Sequence, residues 1–283
     1  MSASVRAPGP VRVRVPETVP VSAYSRTVRG TGPGLLLAHG AGGGIEANFG
    51  PIVEGLAADH TVIGVDYPGT GATPRSEQPL TLDELADQLV GAADAEGVER
   101  FAVAGYSLGG AVAVRAAARH PRRVTALVLT ATLAEADTRL RLDAEIWREL
   151  HASGRYDTLA KFLVSKALSP AALSALTPEE LAATVDGTRE TVPVGSGDHA
   201  ELVTRVDVRD DLATVAALGI PALVVSTTAD QLVRPALHRE VAALLPGARF
   251  AELDSGHLPF VERPEEWLDL ISGFLKEVEG AAS

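Results

Sequence analysis

A serine hydroxyl attacks a carbonyl only when a nearby base takes its proton, so a serine with unusual surroundings is the first thing to look for. Ser107 is such a residue. It stands in Gly105-Tyr106-Ser107-Leu108-Gly109, behind the apolar run 101–104 and ahead of the Ala-rich stretch 110–119. A strand-to-helix turn this sharp strains its central residue and exposes that side chain, while glycines two positions to either side let the backbone pass. The N-terminus of the following helix favours developing negative charge.

Two further side chains could complete the chemistry. His257 lies in Asp254-Ser255-Gly256-His257-Leu258-Pro259-Phe260, a loop after the predicted last strand, 249–253. Imidazole suits proton removal near neutral pH. Asp230 follows the predicted strand 222–227, where a carboxylate can hold an imidazole's tautomer and stabilise its charged form. Asp254 is a rival nearer to His257, although it ends the strand before it. Asp207, Asp210 and Asp211 are rivals that look like helix-start residues. The glycine-rich run His39-Gly40-Ala41-Gly42-Gly43-Gly44 follows another apolar stretch, 35–38. Backbone there can turn amides towards an oxyanion, and the Ala41 and Leu108 N–H groups are the candidates. The extra glycines leave Gly42 as an alternative to Ala41. A phosphate-binding reading of this run fails because the P-loop lysine and a G-x-G-x-x-G pattern are both missing.

These residues need a scaffold to bring them together. Val11, Val13 and Val15 alternate with arginines and predict a half-exposed edge strand, with 21–29 as its hairpin partner. Thereafter a short, wholly apolar run at 35–38 is followed by similar runs at 61–65, 101–104, 124–129, 222–225 and 249–253, as expected of strands covered on both faces. Helices separate them. Thr81-Leu82-Asp83-Glu84 reads as a capping box opening a helix to about Glu96, and others are expected from Ser107 to Pro121, over 235–245, and from Pro264 onward. Alternating strands and helices predict a doubly wound, mostly parallel α/β sheet. From 133 to 207 no strand is legible. Helical patterns at 140–150, 156–167 and from Thr177 predict a helical cap over the C-terminal edge of the sheet, where open α/β sheets bind ligands. The domain reading is therefore a core of 1–132 and 208–283 with a cap of 133–207.

Composition narrows the partners. The chain has 283 residues, a net charge of −12 and no cysteine. An acidic surface is a poor partner for nucleic acid or anionic membrane. The lack of cysteine removes disulfides, thiolate nucleophiles and Cys-based zinc sites, and fits a cytoplasmic protein. The N-terminal stretch does not read as a secretory signal, and no apolar run is long enough to span a membrane. His60, His120, His151, His199 and His238 show no metal-ligand spacing and read as surface or helix-end residues. No metal or cofactor is expected, and oligomeric state is not legible.

Over nearly its whole length the chain is similar to the α/β-hydrolase superfamily. The family's nucleophile pattern falls on residues 105–109, and its chain order of serine, acid, then histidine falls on Ser107, Asp230 and His257. The resemblance implies a catalytic triad of these three, an oxyanion hole at Ala41 and Leu108, and a structural role for His39 beneath the glycine loop. Gly42, Tyr106, Trp147 and Phe162 are the expected substrate-binding residues. Serine at the elbow points to acyl transfer to water. The expected function is hydrolysis of a carboxylic ester, or a related thioester or lactone, of a small, mainly apolar molecule. The same triad also serves carbon–carbon hydrolases, lyases and perhydrolases, and a non-catalytic small-molecule receptor can keep the same fold.

Overall fold

A computed structural model describes residues 24–282. Seven strands carry the fold: β1 Arg26–Arg29, β2 Gly34–Ala38, β3 Thr61–Val65, β4 Phe101–Tyr106, β5 Val124–Thr130, β6 Ala222–Thr227 and β7 Arg249–Leu253. They form one sheet in the order β1-β3-β2-β4-β5-β6-β7. All neighbours run parallel except β1, which pairs antiparallel with β3. The strand expected at Val11, Val13 and Val15 lies outside the described residues, as does the first part of its partner 21–29.

The apolar runs are explained by the two faces. Leu36, Ala38, Ile63, Val103, Leu127 and Val224 belong to one core cluster, and Leu35, Leu37, Val62, Ala104, Val128 and Val225 to the other. Alternate residues point to opposite faces, and helices cover both, so the central positions of the inner strands are apolar. Helices α2 (Leu82–Ala95), α3 (Leu108–Arg119), α9 (Arg209–Leu218) and α10 (Pro235–Ala243) supply the first face. Helices α1 (Ile45–Ala57) and α12 (Pro264–Ala282), with the short α11 (Pro259–Glu262), supply the second. Leu35, Leu36 and Leu37 are each fully buried, worth about 2 kcal/mol apiece relative to exposure.

Helix starts follow their sequence signals. The Thr81 hydroxyl accepts the Glu84 N–H at 3.2 Å at the head of α2. Helix α1 was not anticipated in the sequence. Its glycine-rich approach and the internal Pro51 hide it, yet Phe49, Ile52, Val53 and Leu56 hold helical spacing and are buried.

Between β5 and α9 lie five helices: α4 Thr138–Ala152, α5 Tyr156–Ala167, α6 Pro170–Ala175, α7 Pro178–Thr191 and α8 Ser196–Val203. The two ends of this insertion meet at an isolated antiparallel bridge, Glu135 to Asp207. Helix α7 opens with a reciprocal capping box between Thr177 and Glu180, worth about 1 kcal/mol. The strand order fixes where a site can form. From β2 the chain goes outward to β3, then returns to β4 on the other side of β2. The loops after β2 and β4 therefore part at a switch point and leave a crevice between them.

Candidate active site

Ser107 sits directly after β4, where Ala38 at the end of β2 is paired with Gly105. Its backbone has φ 54 and ψ −122, a strained conformation costing on the order of 1–3 kcal/mol. Neighbouring bonds hold it there. Ser107 N–H donates to Thr130 O at 2.9 Å, and the Thr132 hydroxyl donates to Ser107 O at 2.7 Å. The flanking glycines are needed for close approach: a Cβ on Gly109 would lie 1.9 Å from Ala38 O, and one on Gly105 would lie 2.4 Å from Gly109 O.

His257 and Asp230 follow β7 and β6, which are paired up to Thr227 and Leu253. Two loops leaving adjacent strand ends are thereby brought side by side. His257 Nδ1–H donates to Asp230 Oδ2 at 2.7 Å, and Ser107 Oγ–H donates to His257 Nε2 at 3.0 Å. The carboxylate fixes this tautomer, because it can only accept. Asp230 is itself held firmly. Its Oδ1 accepts the Leu232 and Val233 amides, both at 2.9 Å, and Oδ2 also accepts the Thr227 hydroxyl at 3.0 Å. Of the rival carboxylates, Asp254 receives the Thr228 hydroxyl at 3.4 Å, Asp207 pairs with Arg209, and Asp211 pairs with Arg115. None of these contacts involves His257.

Tyr106 lines the cavity above Ser107, but its hydroxyl donates to the His257 main-chain oxygen at 2.8 Å. It thus braces the histidine loop. The same loop is tied from the insertion: His257 N–H donates to Ala167 O at 2.7 Å. Glu262 Oε1 accepts the amides of both Gly256 and Ser169.

The Ala41 and Gly42 amides of the glycine loop differ in what they meet. Gly42 N–H is already engaged, donating to His199 Nδ1 at 3.1 Å. Among the described residues the Ala41 and Leu108 amides make no hydrogen bond. His39 lies beneath the loop. Its Nε2 accepts the Tyr67 N–H at 2.9 Å, which leaves Nδ1–H to donate to Gly40 O at 2.8 Å. Burial holds His39 far below the usual imidazole value, at about 3. Asn48, which sequence reasoning passed over, accepts the Gly40 N–H at 2.9 Å and also lines the cavity. Its position after the glycine run on an unrecognised helix left no signal.

Three of the other histidines depart from expectation. His60, His199 and His238 are buried rather than on the surface. Both ring nitrogens of His60 and of His199 meet main-chain or side-chain partners, whereas among the described residues His238 is engaged through Nδ1 alone; spacing does not reveal such slots. His60 lies 3.0 Å from Glu279 Oε1, and His238 Nδ1 lies 3.1 Å from the Ser226 hydroxyl. Burial lowers the pKa of both His199 and His238 to about 4. His120 and His151 do stand at helix ends.

A cavity of about 310 Å³ opens over Ser107 and His257. Leu140, Ala144 and Trp147 from α4 and Leu163, Val164 and Ala167 from α5 form much of its wall. Gly42, Tyr106 and Trp147, three of the four expected substrate-binding residues, line it. Phe162 does not. It packs beside Trp147, Leu159 and Ala200 outside the cavity, and Leu163, one position on, takes the lining place. Helical rotation of 100° per residue accounts for the difference.

Residues 33–264 match the family described as alpha/beta hydrolase fold, and the chain belongs to that family. It is 33% identical over 253 residues to a pyrrolizixenacetamide deacetylase of Xenorhabdus hominickii, covering 89% of this chain and 94% of that protein. It is 30% identical over 258 residues to a pimeloyl-acyl-carrier-protein methyl ester esterase of Xanthomonas campestris pv. campestris, covering 88% and 97%. Among solved structures it is similar to an enol-lactonase of Burkholderia xenovorans LB400, with a TM-score of 0.79, 25% identity, and coverage of 89% and 96%. At the level of the family the protein is a hydrolase. Among the described residues no helix is long and apolar enough to cross a membrane.

Proposed function

We propose that this protein is a serine hydrolase. It cleaves a carboxylic ester, or a related thioester or lactone, of a small, mainly apolar molecule through an acyl-enzyme. The observation that carries this reading is the continuous chain from Ser107 Oγ through His257 to Asp230, placed at the floor of an apolar cavity. In the first half-reaction Ser107 Oγ bonds to the acyl carbon as His257 Nε2 takes its proton. The negative oxygen then lies between the free amides of Ala41 and Leu108, and His257 returns the proton to the leaving group as the bond to it breaks. Water repeats the sequence to release the acid. Asp230 stabilises the imidazolium and keeps its proton on Nδ1. The deacetylase, methyl ester esterase and enol-lactonase names of its relatives support acyl chemistry.

The helical insertion 133–207 acts as the cap in this reading, and its wall sets the substrate class. Thr184 and Thr188 on α7 line the cavity, but their hydroxyls donate to Glu180 O and Thr184 O at 2.8 Å. Their donor capacity is thus spent within the helix. No Lys, Arg, Asp or Glu is among the lining residues. A charged acyl group would lose its hydration there without a partner, a loss of several kcal/mol. The volume is at the small end for ligand pockets. The protein partner is thus a small molecule, and the cysteine-free chain suits the cytoplasm.

The test is a panel of p-nitrophenyl esters from acetate to decanoate, with the hemisuccinate as an anionic member. Short and middle neutral chains should be cleaved best, with kcat/KM for the hemisuccinate at least about 100-fold lower than for butyrate. Equal rates on both, or turnover only of diketones or cyanohydrins, would contradict the proposal.

A further inference from the structure

The residue carrying the proposed oxyanion amide is flanked by two peptide groups, and each is gripped by a different histidine. The Gly40–Ala41 peptide is held from within the core. Its oxygen accepts His39 Nδ1–H at 2.8 Å and also the Gly43 N–H at 3.2 Å. The Ala41–Gly42 peptide is held from the insertion, where its N–H reaches His199 Nδ1 on α8. His199 is fully buried. Its other nitrogen, Nε2–H, donates to Pro68 O at 3.0 Å in the loop after β3. That loop is joined to the insertion again by Gly195 N–H, which donates to Gly69 O at 3.0 Å.

Position 42 is closed from a second side. Gly42 has φ +64, and a Cβ there would lie 2.5 Å from the Trp147 ring. The indole is fixed in turn, since Trp147 Nε1–H donates to Ser196 Oγ at 2.8 Å. Glycines on both sides of Ala41 make its flanking peptides easy to rotate. A half-buried N–H that loses its acceptor favours such a rotation, because an unpaired donor shielded from water is costly.

We propose that His199 is a positioning residue for the oxyanion hole: by accepting the Gly42 N–H, the helical insertion sets the orientation of Ala41. The insertion is then part of the catalytic framework as well as the wall of the acyl pocket. This rests on the reading of Ala41 and Leu108 as the oxyanion donors. Only a neutral imidazole with a bare Nδ1 can accept the Gly42 N–H, and the low pKa of His199 agrees with that state.

Two amide substitutions separate orientation from bulk packing. In His199→Asn the side-chain oxygen can stand where Nδ1 stands and accept from Gly42. In His199→Gln the amide reaches the Nε2 position and leaves Gly42 without its acceptor. With p-nitrophenyl butyrate, His199→Gln should lower kcat about 10- to 100-fold with KM changed less than about threefold, somewhat less than losing a whole oxyanion donor. His199→Asn should keep most of kcat. Affinity for phenylboronic acid, which becomes tetrahedral on an active serine, should fall in His199→Gln by a similar factor.

Equal loss in both variants, or loss in neither, overturns the proposal while Ser107→Ala remains inactive. Turnover persisting in Ser107→Ala would instead defeat the underlying mechanism. Should the variants fail to fold, nitrogen-15 histidine NMR of the unaltered protein decides. A proton on Nε2 of His199 with Nδ1 accepting supports the proposal, and a proton on Nδ1 overturns it.

Discussion

The sheet core and the helical insertion contribute to one site in different ways. The core provides the proposed reacting groups, each beyond the C-terminal end of a strand: Ser107 after β4, Asp230 after β6 and His257 after β7. The insertion provides none of the three, yet it touches both halves of the machinery. Ala167 O holds the His257 backbone, and His199 holds the glycine loop. Burial differs as sharply. Every residue of β2, β4 and β6 is buried, whereas α6 and α7 have no buried residue. In the proposed reading the reacting atoms, and the contacts that Ala167 and His199 make with their loops, all lie in well-buried parts of the molecule. Of the cavity wall, the α7 portion is the part that can open locally at lower free energy.

The comparison can be broken most severely on the core side. In Asp230→Asn the amide keeps an oxygen for the Leu232 and Val233 N–H groups but presents an N–H to His257 Nδ1. The imidazole must then carry its proton on Nε2, where it cannot accept from Ser107. A fall in kcat on the order of 10⁴ is expected, with an unfolding midpoint close to that of the unaltered protein. Steady-state kinetics and urea unfolding on one preparation check both parts. A loss of only tenfold would mean that the carboxylate does not govern the tautomer.

A smaller effect links the two regions through their buried histidines. His39 and His238 in the core and His199 in the insertion have folded pKa values of about 3, 4 and 4. The unfolded chain takes protons first, near the ordinary value of about 6.5. Their stabilising contribution is therefore present above about pH 6.5 and is lost as the pH falls towards 4. Each histidine contributes a slope of about 1.4 kcal/mol per pH unit in that window. Urea midpoints between pH 7 and 5 should fall steeply, and His199→Asn should reduce the slope by the share of one group. An unchanged midpoint down to pH 5 would show that these rings are not held neutral.

What the sequence disclosed follows the same division. Mainly apolar strands separated by capped helices could be read directly, because burial on both faces strongly favours apolar side chains. The elbow could be read because Gly105 and Gly109 face backbone that admits no side chain. Position within the insertion was harder to read. Phe162 and Leu163 are both apolar neighbours on α5, and only the helix's rotation decides which faces the cavity. His199 looked like a surface residue because its partners, Gly42 and Pro68, lie more than a hundred residues away along the chain and are backbone atoms with no side-chain signature. Helix α1 escaped notice because the glycines before it and Pro51 within it carry the marks of a loop.

The central claim is that Ser107 is an activated nucleophile, and active-site titration tests it most directly. Rapid mixing with p-nitrophenyl butyrate should release a burst approaching one equivalent of p-nitrophenol per chain. A fluorophosphonate should label one residue, Ser107, and Ser107→Ala should lose the label and about 10⁶-fold in turnover. A label on another residue, or turnover that survives in Ser107→Ala, would contradict the account.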